Sequence, residues 1–124
     1  MRIILAAPLL ATAWLSTAAA ADPLTGDITK AQLEVITMTT IARFAGSDGR
    51  CPRFHVIERA VFQDMHDADI PVGMLEIPEF KNAQAIALMG AMERQAANPS
   101  DFCLAVWQLF GPQGLYKRQM LEAN

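Results

Sequence analysis

The sequence predicts an all-α fold: a small bundle of four to five helices, locked by one disulfide and preceded by a cleaved signal peptide. Three observations carry this. Apolar residues recur at helical spacing through four stretches, and start and stop residues bound each stretch. The chain has two cysteines, Cys51 and Cys103. Its first 21 residues read as an export leader and stand apart from the fold.

Arg2 and the amino terminus give the leader a positive start. Ile3 to Leu15 is apolar, and Ser16 to Ala21 is a run of small residues with cleavage expected before Asp22. The apolar run falls short of the roughly 20 residues that a bilayer span needs. No cysteine follows it and no arginine pair precedes it, so the simpler route is Sec-type export. The expected location is outside the cytoplasm, periplasmic or secreted in a bacterium. Residues 22–124 are then a single domain, long enough for one core.

Losing Arg2 moves the formal charge from −3 to −4. An acidic chain without a basic stripe argues against nucleic acid and against anionic membrane as partners. The mean hydropathy of +0.21 is raised by the leader and is no sign of a membrane protein.

The first helix is expected over 30–45. Thr29 and Gln32 form a capping box, Ile28 and Leu33 a hydrophobic staple, and Gly46 a stop. Leu33, Ile36, Thr40 and Phe44 share one face. The β-branched run from Val35 to Ile41 makes a strand the competing reading. Ser47-Asp48-Gly49-Arg50 is a turn. A second helix is expected over 52–68, with Pro52 at its first position and Phe54, Ile57, Val61, Met65 and Ala68 as its buried stripe. It must end before Ile70-Pro71.

Residues 71–78 form a connection of unusual character, because Val72, Met74, Leu75 and Ile77 are apolar where linkers are polar. The segment either closes the core or offers an exposed surface, so these four are the candidate partner-binding residues. Pro78 opens a third helix, 78–97. Ala83, Ala87 and Ala91 line one side, and Ala85, Met89, Met92 and Ala96 line the other. A helix apolar on two sides is expected at the centre of the bundle. Asn98 caps a fourth helix, 99–110, with Pro99 first in it. Phe102, Val106 and Phe110 are its core face, beside Cys103 and Trp107. A thin apolar edge over 115–122 allows a fifth.

Cys51 lies between Arg50 and Arg53 with His55 close by, a setting that lowers a thiol pKa. That supports a thiol enzyme or redox reading. The preferred reading is a bridge to Cys103, because export favours oxidation and no C-x-x-C occurs. Such a bridge closes a loop of about 50 residues and is worth about 4 kcal/mol on the chain-entropy model.

Asp64, His66, Asp67 and Asp69 crowd the end of the second helix and are the candidate divalent-cation ligands. Their spacing fits neither an EF-hand loop nor a zinc motif, so a solvated acidic end is preferred and no metal is assigned. His55 and His66 share a helical column with Arg59 and Phe62, but 11 residues of helix hold the histidines about 16 Å apart. No hydrolase, phosphate-loop or metalloprotease motif occurs. Six methionines follow the leader, suited either to core filling or to an adaptable groove.

The function these features favour is a non-catalytic exported module that binds another protein or a small apolar ligand, with no cofactor. Three alternatives stand beside it: a stress chaperone, a thiol enzyme using Cys51, and a divalent-cation binder. In its two cysteines about 50 residues apart and its helical class, the chain resembles the small periplasmic acid-stress chaperones. That resemblance implies reversible loosening that exposes apolar surface.

Overall fold

The computed structural model describes residues 28–124; the leader and the entry up to residue 27 lie outside the described residues. In chain order the elements are α1 (Lys30–Ala45), β1 (Phe54–Val56), α2 (Glu58–Asp67), a short 3-10 helix (Val72–Glu76), α3 (Pro78–Ala97), α4 (Pro99–Phe110) and β2 (Leu121–Ala123). The described chain is mostly helical, and Cys51 is bonded to Cys103 with an S–S distance of 2.03 Å.

α1 starts at the expected capping box. The Thr29 hydroxyl accepts from Gln32 N–H at 3.1 Å, and Thr29 N–H donates to Gln32 Oε1 at 3.1 Å. The β-branched run stays helical because tertiary burial outweighs local strand preference. Its hydroxyls find partners inside the helix: Thr39 donates to Val35 O at 2.7 Å and Thr40 to Ile36 O at 2.6 Å. Leu33, Val35, Ile36, Ile41, Ala42, Phe44 and Ala45 are all buried. They point in nearly every direction around the axis, so α1 is the helix that the others surround.

That corrects the expectation for α3. It packs on α1 through its small-residue side, where Ala87 and Ala91 are buried. Its second apolar side faces outward, with Met89 63% and Met92 51% exposed. Apolar residues on two sides misled because both sets of side chains look equally greasy in sequence. Only the first set is small enough to seat α3 against α1.

The start of the expected second helix is also different. Pro52 and Arg53 lie in a turn, Phe54–Val56 is a strand, and helix begins only at Glu58. β1 pairs antiparallel with β2, setting Phe54 against Ala123, His55 against Glu122 and Val56 against Leu121. The expected helix over 115–122 is absent for the same reason. After Gly111 and Pro112 the chain runs back through turns and ends as β2, with Met120 and Leu121 buried. Ile57 N–H donates to Met120 O at 2.8 Å, and Met120 N–H to Phe110 O at 3.0 Å. Phe54 is still buried, so the helical-looking stripe is served by a strand and a helix in succession.

The turn at Ser47–Arg50 has positive φ at both Asp48 (54°) and Gly49 (71°), closed by Arg50 N–H donating to Ser47 O at 3.1 Å. α4 supplies the aromatic side of the core. Phe102 meets Phe44 of α1 edge-on at 5.9 Å, Trp107 stacks on Phe54 of β1 at 5.5 Å, and Phe110 meets Tyr116 at 5.6 Å.

Gly46 ends α1 with an ordinary φ of −86°, so backbone freedom is not its purpose. A Cβ there would stand 2.7 Å from Val56 N and 2.9 Å from Val56 Cβ. Gly46→Ala is therefore expected to push β1 off α1 and to cost about 1–3 kcal/mol in urea unfolding. A neutral result would mean that β1 does not approach this closely.

Candidate functional site

The outward side of α3 carries four of the exposed large apolar residues of the described chain. Ile86, Met89 and Met92 follow one another at three-residue steps, with Ala85 and Leu88 beside them, and all five are exposed. Leu104 is 56% exposed on α4, which joins α3 through Asn98. The joint is stiff: Asn98 Oδ1 accepts from Asp101 N–H at 3.2 Å, Asn98 Nδ2 donates to Asp101 Oδ2 at 2.9 Å, and Pro99 follows. Exposed single apolar residues are ordinary, but a run of them along one helix is the usual mark of a contact surface.

The candidate segment Val72–Ile77 is split by the fold. Met74, Leu75 and Ile77 are half-buried and pack against the core, whereas Val72 is 72% exposed. The segment thus closes the interior beneath it and presents one residue outward. Met65 and Met120 are buried, Met38 and Met74 pack against the core, and Met89 and Met92 are exposed.

The acidic end of α2 does not converge on a point. Asp64 is buried, with Lys117 Nζ 3.6 Å from Oδ1 and the Tyr116 hydroxyl donating to Oδ2 at 3.5 Å. Asp67 accepts from Gln63 Nε2 at 2.9 Å. Asp69 has φ 60° and sits just past the helix end. There its N–H donates to His66 O at 3.0 Å and Ile70 N–H to Met65 O at 3.0 Å, a Schellman closure with aspartate where glycine is usual. Gln32 Nε2 reaches across from α1 to the Ala68 and Asp69 carbonyls at 3.2 and 3.1 Å. Among the described residues no group of three or more His, Cys, Asp or Glu is placed to share a metal ion.

The expected column of His55, Arg59, Phe62 and His66 is broken, since His55 is on β1. With α2 starting at Glu58, an acid stands at its positive end. Glu58 also pairs with Arg43 of α1 at 2.7 Å, and Arg43 lies 5.1 Å over the Phe62 ring. Cys51 is buried and disulfide-bonded, so neither cysteine is a free thiol. A disulfide persists in oxidising compartments. No described helix is long and apolar enough to cross a membrane.

Compared with known proteins, the chain matches no family model, no curated protein and no solved structure.

Burial raises the pKa of Asp64, and the nearby Lys117 ammonium opposes that rise only in part. The folded protein therefore holds this proton more readily than the unfolded chain. The penalty on the charged carboxylate is present above the folded pKa and fades as pH falls through it. Asp64→Asn mimics the protonated form. Its stability relative to wild type is expected to improve as pH rises through the folded pKa of Asp64 and then to level off, read as the difference in thermal unfolding. A constant difference would show that Asp64 ionises as freely as in an unfolded chain.

Proposed function

We propose that this protein is an exported, non-catalytic module that binds another protein through the outward side of α3. The observation that supports this reading is the exposed row Ile86, Met89 and Met92 with Leu88 on the same helix. Methionine adapts to a partner's contour and is enriched at protein interfaces. The helix beneath is held by packing on α1 and by the capped joint at Asn98, so the surface is preformed. The bonded cysteines suit an oxidising compartment, and the leader pattern supplies the route to it.

A photo-reactive methionine analogue at position 89 tests this in the compartment from which the mature protein is recovered. The expected product is a crosslink to a distinct polypeptide, lost when Ile86→Lys and Met92→Lys are introduced together. Both changed positions are exposed, so unfolding should shift by only about 0.5 kcal/mol each. A crosslink to a second copy would make the surface a dimer interface. Failure to crosslink, with unchanged recovery of the lysine variant, would overturn the reading.

A further inference from the structure

The last strand carries a side-chain clasp whose chemistry depends on a proton. His55 on β1 stands directly across from Glu122 on β2, and both are exposed. Its Nε2 lies 3.2 Å from Glu122 Oε1, and its Nδ1 lies 2.6 Å from Asn124 Oδ1. The orientation of the Asn124 amide is set by its other end, where Nδ2 is 2.6 Å from the Pro52 carbonyl. A carbonyl only accepts, so the amide nitrogen must face Pro52 and the amide oxygen must face His55. Both ring nitrogens of His55 therefore face acceptors. A neutral imidazole has one N–H and satisfies one of them; the imidazolium has two and satisfies both.

We infer that His55 is a proton-operated latch on the C-terminal strand: protonated, it clamps Glu122 and Asn124 together against β1, and neutral, it releases one of them. The groups around it are few. β2 contributes Glu122 and, just beyond it, Asn124. The preceding turn contributes Arg53, whose carbonyl accepts from Asn124 N–H at 3.0 Å.

With the latch closed, the strand is held by side chains and backbone together. With it open, the backbone ladder of three residue pairs remains, and short two-stranded pairings are marginal by themselves. What the strand covers matters, because Met120 and Leu121 immediately before and within it are buried.

Amide hydrogen exchange of the mature, oxidised protein tests this between pH 5 and 8, corrected for the intrinsic base-catalysed rate. The amides to follow are Asn124, bonded to Arg53 O, and Ile57, bonded to Met120 O. Their protection is expected to fall by about two- to fivefold as the His55 ring loses its proton, the scale of one exposed charged pair. The step should coincide with the ring's own NMR titration. His55→Gln, neutral at every pH, should remove the step while α1 and α4 amides keep their protection. Glu122→Gln should shrink it. A wild-type profile without a step, or a step that survives in His55→Gln, would overturn the proposal.

Discussion

The constraint on which the structure depends is the burial of α1 on nearly all sides. A helix 16 residues long with ten buried residues spread around its axis leaves little of its surface to water. α2, α3, α4 and β1 each cover part of it. α3 lies along it through alanines, α4 brings Phe102 against Phe44, and β1 comes within van der Waals contact of Gly46. α2 is held at its C-terminal end by Gln32, which also closes the cap of α1. The disulfide then ties the segment after α1 to α4, across 52 residues of chain.

Covering one central helix has a consequence for the helix that covers most of it. α3 is apolar on two sides, and only the alanine side is needed inside. The side with Ile86, Met89 and Met92 is left to water, which is costly for an isolated domain and natural for one that meets a partner. The proposed function rests on that surplus. The buried Asp64 and the His55 clasp both involve the segment after α4, through Lys117 and Tyr116 and through Glu122 and Asn124.

Much of the architecture is legible in the sequence where local chemistry decides it. The capping box at Thr29 and Gln32, the Asp48-Gly49 turn, Pro78, and the Asn98-Pro99 joint each specify a boundary that the fold respects. The two cysteines, alone in the chain, form the expected pair. The sequence is silent where a distant segment decides. Nothing near Phe54 announces a strand, because its partner lies almost seventy residues later, and the period of Phe54, Ile57 and Val61 fits a helix just as well. Asp69 looked like part of an acidic site and serves as a helix terminator. The outward row on α3 was visible as a pattern, but periodicity cannot say which of two apolar sides is the inner one. Side-chain size was the missing clue: alanines seat a helix closely, and methionines do not.

The ranking of α1 as core and α3 as cover is tested most directly by a pair of truncations measured in urea. Ile36→Ala in α1 is expected to cost about 2–5 kcal/mol, the range for a buried large-to-small change. Met89→Ala on the outer side of α3 is expected to stay within about 0.5 kcal/mol of wild type. Comparable losses at the two positions in the monomer would contradict the account, because α3 would then be a central helix with no surface to offer.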